Sequence, residues 1–567
     1  MRTAEEIVKI ILAARGLTEP DALSEYFADR PKCTYDPFLL PDMEAGADMI
    51  MDGVRSQKNI CIYGDYDVDG VMSVVLLTIF LRGLPGVNPA WIQWYVPSRF
   101  DEGYGLNTNA LDRIRESGSD IVVTVDCGSV SRAEVLYAKE KGLEMVVTDH
   151  HDCAEGLDPE CPFIDPKRPG SGYPQPQISG CGVAFKLAQA ICKKYFPEDY
   201  AVKKLMNSML DLVAVATIAD VMPLTGENRT LVKYGLAQIN KGDRKALKKL
   251  VDAIGLKHGQ ISAYNIAFGI APHLNAAGRM GDASVAAELF LTHDETRMDE
   301  LIAELILRNK ERRRIQEEAV ETCIGICESD FKDDLFKLVR PPQIHEGVSG
   351  IVAGRIKEHY GLPAAVLADT VSDDGRPALK GSARGITGLD LIGILRAHGE
   401  LFTRLGGHAM AAGFTVPAEN AGRLRDCLND EVRRAAEAAP GILVNTRAAD
   451  AEIEAAEASL TLAKQLEKLE PTGTGNPMPV LALRGVRAQD VKHIGTEGQH
   501  LKFNAVNMLD AGGQNTVSCV LFAKGGEAGA LPDTEDDLTL IGTLDVNRWH
   551  GRESAQFKVK EVRVLSN

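Results

Sequence analysis

The stretch that decides the fold is "NICIYGDYDVDGVMSVVLLTIFL", residues 59–81. A short apolar run, "NICIY", leads into Asp65, Asp67 and Asp69 at alternate positions, and a longer apolar run follows. The first run is bounded by polar residues and reads as a buried strand. The second, "VMSVVLLTIFL", reads as a buried helix. The three carboxylates between them repel one another unless something positive holds them. The string "DYDVDG" matches the first half of a calcium-binding EF-hand loop, which also needs a bidentate Glu at its twelfth position. Counted from Asp65 that position is Leu76, and the segment follows a strand rather than a helix. The calcium reading fails, leaving a strand, an acidic turn and a helix.

The same order recurs further along. "IVVTV" (121–125) runs into Asp126, and "LEMVVT" (143–148) runs into Asp149, His150 and His151. Alternating strands and helices from about 55 to 225 predict βαβ units on a largely parallel sheet buried on both faces. The carboxyl ends of such strands share one edge, where ligands bind. Asp220 ends the apolar helical run "SMLDLVAVATIADV" and can reach the same cleft. Carboxylates joined by imidazoles suit manganese or a similar first-row ion, with magnesium as a substitute and no thiolate to favour zinc. So many anionic ligands exceed what one divalent ion takes, so two ions are expected. Such a pair, roughly 3.5–4 Å apart, generates a hydroxide near neutral pH and stabilises both oxygens of a phosphoester displacement. Any one of these residues could instead cap a helix or close a turn. Four such sites at strand and helix ends make the metal pair the better reading.

A chain of 567 residues, 45% hydrophobic and 25% charged, is an ordinary globular composition too long for one core. The pattern divides into an α/β domain with an N-terminal helical segment (1–293), a long connecting helix (294–330), a second α/β domain (331–445) and a β-rich end (446–567) that suggests a small barrel or sandwich. "DPKRPGSGYPQPQISGCG" (165–182) reads as a surface loop. The longest apolar run, 71–81, is shorter than a bilayer span, and the N-terminus reads as an amphipathic helix rather than a signal peptide. A cytoplasmic protein without a membrane partner is expected. Its 11 cysteines form no C-x-x-C pair, and Cys323 and Cys327 have no second pair nearby, so they read as reduced thiols. The net charge of −17 argues mildly against a polyanionic partner. Two basic clusters, "KGDRKALKKL" (241–250) and "LILRNKERRRIQ" (305–316), are either polyanion contacts or solvated helix faces.

The combination of "YGDYDVDG", "TVDCG", "VTDHH" and "TIADVMPL" closely resembles the DHH phosphoesterase superfamily. Within it the match is closest to the bacterial RecJ family of single-strand-specific 5′ to 3′ DNA exonucleases. "VPSRFDEGYGLN", "APHLNAAGRMGDA", "GVSGIVAGRI", "GSAR", "GGHAMAAGF", "GTGNPMPV" and "DVNRWHGRESAQFKV" carry that resemblance over nearly the whole chain. It implies a DHH catalytic domain, a DHH-associated substrate-binding domain and a C-terminal OB-type barrel. It implies Asp67, Asp69, Asp126, His150 and Asp220 as ligands of two Mn²⁺ or Mg²⁺ ions, Asp126 bridging them. Asp65 is then either a ligand or a neighbour of the ligands, and His151 lies beside the reacting phosphate. Arg279, Arg355, Ser382, Arg384 and His408 become phosphate contacts, and Arg99 belongs to a 5′-end pocket. Trp549 and Phe503 become candidate base stackers or core residues. Single-stranded DNA is the implied substrate in repair and recombination, with a single-strand-binding protein and a helicase as partners. The chain departs from the family pattern at Ile344, Glu346 and Gly385. The rival readings are a phosphoesterase of small substrates and a binding protein without catalysis.

Overall fold

A computed structural model describes residues 2–28, 34–100, 102–103, 105–153, 160–372, 375–443, 448–495, 498–508, 515–522, 537–549 and 551–564. Parallel strands β1 (Ile60–Gly64), β2 (Ile92–Tyr95), β3 (Ile121–Val125), β4 (Glu144–Thr148) and β5 (Phe163–Ile164) form the first sheet, in the order β2-β1-β3-β4-β5. β1 and β3 are buried at every position, which is why both read as unbroken apolar runs. The sequence does not announce β2 and β5, whose 4 and 2 residues are too few to show a pattern. The helix Val68–Arg82 is buried almost all round, packed on β1 and against the helices Gly180–Tyr195 and Leu210–Ala219. The chain passes from β1 to β2 and then returns to β3 on the other side. That reversal opens a crevice at the carboxyl ends of β1 and β3.

The connecting helix is continuous from Glu295 to Asp330, 36 residues and about 54 Å long. Met298, Leu301, Ile302 and Leu305 join the first domain's core, while Ala319, Cys323 and Cys327 join a cluster shared with the second domain. Between these halves Arg312 is buried and donates to Asn309 Oδ1 (2.9 and 3.1 Å) and Gln316 Oε1 (2.7 Å). The second domain's sheet comprises β6 (Lys337–Val339), β7 (Ala364–Val371), β8 (Pro377–Arg384), β9 (Arg404–His408) and β10 (Ala411–Pro417), in the order β6-β7-β8-β10-β9. The last sheet comprises β11 (Ala451–Ile453), β12 (Leu481–Ile494), β13 (His500–Asn507), β14 (Thr516–Leu521), β15 (Leu538–Trp549) and β16 (Arg552–Val564). β12 pairs with both β13 and β15, so β12 to β16 close into a barrel.

Two expectations need correction, and two open alternatives are decided. The N-terminal helix Ala4–Ala14 does not pack with the first domain. Ile7, Val8, Ile11 and Leu12 lie in the barrel's core beside Leu462 and Leu466, and Arg2 pairs with Glu457 at 2.7 Å. Residues 165–179 are an irregular loop, mostly exposed or half-buried and pinned by buried Asp165, Tyr173 and Ile178, but the last three residues of the 165–182 stretch open the helix capped by Ser179. Phe503, 1% exposed, is a core residue of the barrel, whereas Trp549 is 69% exposed. The 241–250 cluster is largely spent in ion pairs, Arg244 with Asp211, Lys245 with Glu295 and Lys249 with Asp299. In the other cluster Arg308 pairs with Glu304, and Arg314 with Glu311 and Glu318. Among the described residues no helix is long and apolar enough to cross a membrane.

Because Ile11 is fully buried in the barrel's core, Ile11→Ala should cost about 2–5 kcal/mol. The loss should be confined to the C-terminal domain. Hydrogen exchange should quicken in β12 to β16 and remain unchanged in β1 and β3.

Candidate metal centre

Each strand-end acid is positioned by a different local device. Asp67 caps the helix Val68–Arg82, its Oδ1 accepting from Gly70 N at 3.1 Å. Asp69, in the first turn of the same helix, accepts from Gly180 N (2.7 Å) and Cys181 N (2.8 Å), the opening amides of the helix Gly180–Tyr195. A helix N-terminus favours the negative charge placed there. Asp126 leaves β3 with φ 61°, a left-handed conformation that turns it toward Asp69 and His150. A Cβ on Gly180 would lie 2.4 Å from Asp126 Oδ1, so this helix can approach only with glycine there. Asp220 caps the C-terminal end of the helix Leu210–Ala219, and Asp65, 4% exposed, directly follows β1.

These side chains converge. His150 Nε2 lies 3.0 Å from Asp126 Oδ1 and 3.7 Å from both Asp69 Oδ2 and Asp220 Oδ2. One group of possible ligand atoms, all within 4.8 Å of one another, is Asp65, Asp67 and Asp126; a second is Asp69, His150 and Asp220. Burial, and then the charges of neighbouring carboxylates, push Asp65 and Asp126 well above the ordinary range, Asp69 to about 7 and Asp220 to about 9. Burial and the charge of His151 bring His150 down to about 3, leaving the neutral imidazole that ligates metals. Asp65 Oδ1, Asp126 Oδ1 and Asp220 Oδ2 are buried without a hydrogen-bond partner. Buried acceptors left this way carry a desolvation cost that a cation removes. The donors are oxygen and imidazole nitrogen. The nearby thiols of Cys127 and Cys181 are held protonated by burial, so the set fits Mn²⁺ or Mg²⁺.

Asp149 is the residue that sequence reasoning placed at the strand end but gave no role. Its Oδ2 accepts from Ser129 N (2.9 Å) and Oγ (2.6 Å), and its Oδ1 accepts from His150 N (2.7 Å). Oδ1 also lies 2.8 Å from His151 Nδ1. Burial opposes its charge, yet the bonds from His151 and Ser129 hold it well below the usual range. Both oxygens are thus occupied in fixing the loop and the ring of His151. Burial pulls His151 down, but the bond to Asp149 and the surrounding carboxylates raise it to about 9. In the metal-free protein this favours the imidazolium, with the side chain 44% exposed.

The phosphate-type residues gather where the first two lobes meet. Arg279, ending the helix Ala271–Met280, donates to Gly347 O (3.0 Å) at the start of the second domain's helix Glu346–Tyr360. Burial, then the charges of Arg99 and Arg312, lower its pKa to about 10. Arg99 lies 5.1 Å over the Tyr66 ring. Ser382 and Arg384 share a face of β8, with Ser382 Oγ 3.0 Å from Ser349 Oγ. His408, exposed on β9, shares a register row with Ala411 and Arg384. Arg355 is exposed and paired with Glu358 at 3.2 Å, and its charge, after burial and Arg313, helps lower the pKa of Arg312. Arg312 was hidden within a basic run, where its burial could not be read. A cavity of about 850 Å³ continues from this junction, with Val221, Asn275, Arg279 and Arg312 on one side and Gly473 and Lys558 of the barrel domain on the other.

An acidic edge at the switch point of a parallel sheet, joined by a long helix to a second domain that carries Ser382, Arg384 and His408, defines a DHH-type phosphoesterase. Three family models match in chain order: the DHH family N-terminal domain over residues 59–217, the DHHA1 domain over 335–434 and the RecJ OB domain over 449–561. The single-stranded-DNA-specific exonuclease RecJ of Bacillus subtilis is 32% identical over 568 residues, covering 98% of this chain and 68% of that protein. The Dickeya dadantii protein of the same name is 32% identical over 98% of this chain and 96% of its own length. The crystal structure of Thermus thermophilus RecJ in complex with Mn²⁺ matches with a TM-score of 0.78 at 28% identity, covering 98% of this chain and 76% of that one. The chain belongs to the RecJ family.

The raised carboxyl pKa values predict a pH dependence. Carboxyls that ionise near 3.8 when unfolded and at about 7 (Asp69) or 9 (Asp220) when folded stabilise the metal-free fold most below pH 3.8, and that contribution fades as pH rises to about 9. Metal-free protein should therefore melt at a lower temperature at pH 8 than at pH 6. Binding of Mn²⁺ should release protons near pH 7 and remove the difference. Calorimetry in buffers of different ionisation enthalpy checks the proton release.

Proposed function

We propose that this chain is a single-stranded-DNA-specific 5′ to 3′ exonuclease that hydrolyses phosphodiesters at a two-metal site and releases 5′ nucleotides in DNA repair and recombination. The observation that carries the reading is the pair of ligand groups meeting at Asp126 and His150 on the floor of a cleft edged by Arg99, Arg279 and Arg384. Asp65, Asp67 and Asp126 would hold one Mn²⁺ or Mg²⁺ ion, and Asp69, His150 and Asp220 the other, with Asp126 shared. When bound, such a pair activates water and stabilises the attacking and leaving oxygens of an in-line displacement.

The chain's own residues do the rest. His151, charged and oriented by Asp149, stabilises negative charge developing on the scissile phosphate. Arg279 and Arg384 present guanidinium forks to phosphate oxygens, Ser382 adds a hydroxyl, and His408 adds a donor from the end of β9. Arg99 holds the 5′-terminal phosphate. Arg355, on the outer face of its helix, meets the strand only at its periphery. Lys558 and the cavity beside the barrel continue the path for the rest of the strand. That continuation favours a polymer over a small phosphoester. Family membership supports the strand preference and polarity, and it suggests a single-strand-binding protein and a helicase as partners in the cytoplasm.

Single-stranded DNA labelled at either end, digested with Mn²⁺, tests the reading. A 5′ label should leave at once as mononucleotide, while a 3′-labelled strand shortens gradually. Asp126→Asn should be inactive. His151→Gln should lower kcat about 10²–10³-fold with little change in KM. Survival of long strands while dinucleotides are cleaved would sink the polymer substrate, and an active Asp126→Asn would sink the site.

A further inference from the structure

The segment "GTGNPMPV" (473–480) belongs to the barrel domain, yet its first residues pack against the turn that follows Asp220. The helix ending at Asp220 closes with Val221 N donating to Ile218 O (3.2 Å) and Met222 N to Thr217 O (3.1 Å). Val221 has φ 59°. That left-handed conformation usually belongs to glycine and is costly for a β-branched residue. Its side chain is 64% exposed, so burial of that side chain does not compensate. Strained backbone of this kind persists only when its surroundings over-determine it.

Much of the surroundings comes from the barrel domain. Leu224 N donates to Thr474 O at 2.7 Å. A Cβ on Gly475, itself at φ 71°, would stand 3.1 Å from Pro223 Cβ and 3.2 Å from Thr225 Cγ2, so the loop backbone lies close against the side chains of the turn. Arg229, buried, donates to the carbonyls of Leu469 (3.1 Å), Pro471 (3.0 Å) and Glu470 (2.8 Å). Asn476 Nδ2 holds two of the same carbonyls from within the loop, at 2.9 and 2.8 Å. Residues 469–476 are thus fastened along 223–229, immediately after a metal-facing acid. A platform that only bound DNA would need none of these contacts.

We propose that this loop is a positioning element of the metal site. It holds the strained turn that aims Asp220, so the barrel domain sets the affinity for the ion on the Asp69, His150 and Asp220 side. The inference rests on the two-metal reading above. A ligand's supporting contacts matter at this level, since their loss costs roughly 10–100-fold in metal affinity.

Calorimetric titration of the full chain with Mn²⁺ tests the idea, comparing wild type, Gly475→Ala and Gly485→Ala. Gly485 is also left-handed, at φ 64°, but an added Cβ there meets nothing within 4 Å. The control therefore carries the same backbone strain without the contact. Gly475→Ala should weaken Mn²⁺ binding by roughly ten-fold or more, while Gly485→Ala binds like wild type. Adding Val221→Gly to Gly475→Ala should restore affinity, because glycine holds the turn without outside support. Should Gly475→Ala fail to fold, Arg229→Lys, which forfeits part of the carbonyl clamp, carries the same expectation. Wild-type affinity in the folded variant overturns the inference. A wild type that binds no Mn²⁺ overturns the metal reading itself, and this inference with it.

Discussion

The structure is organised around like charges held out of water. Asp65, Asp69, Asp126 and Asp220 gather with Asp67 and His150 in a largely buried cluster, and burial pushes the carboxyls of those four acids toward protonation. Backbone amides satisfy part of the charge, since Asp67 caps its own helix and Asp69 takes the opening amides of another. Asp65, Asp126 and Asp220 keep oxygens for which the protein supplies no hydrogen-bond donor. Divalent cations complete that account with the carboxylates ionised, displacing the protons they would otherwise hold. The rest of the first domain serves this constraint: the reversal of strand order at β1, the left-handed Asp126, and the glycine that lets a helix stand against it.

The adjoining histidines show how environment divides labour between identical side chains. His150 faces the ligands and is buried into neutrality. His151, one residue on, is tied to Asp149 and kept charged. A sixth acid, Asp149, is thus spent on hydrogen bonds to this pair, accepting from the backbone amide of His150 and facing the ring of His151.

Much of this was legible in the residues. β1, β3 and β4 read as apolar runs that end in acids, because parallel strands covered on both faces have no polar side to interrupt them. The metal-facing acids follow from that pattern, and the long helix from its uninterrupted composition. What stayed hidden is what depends on distant packing. The helix Ala4–Ala14 has an amphipathic pattern that calls for a partner, but nothing in it says that the partner is the barrel 450 positions away. Phe503 and Trp549 carry similar aromatic surface, and only the pleat of the closed barrel sends one inside and the other out. Arg312 looks like its basic neighbours until the lobes close around it.

The net charge of −17 and a polyanionic substrate are compatible because the charge is segregated. Many exposed basic side chains are neutralised by adjacent acids, as Arg314 is by Glu311 and Glu318. Such pairs contribute little stability, and they also leave little free positive charge on the outer surface. The guanidiniums that crowd one another are at the lobe junction, where burial and then the charges of Arg99 and Arg312 depress Arg279. Positive charge that is costly in the free protein is relieved when a phosphate enters. An acidic exterior around a locally basic cleft therefore discriminates by position: a strand gains attraction only by threading its end between the lobes. A duplex lying on the surface meets paired charges and an overall repulsion. Selection for a free single-stranded end then has an electrostatic source.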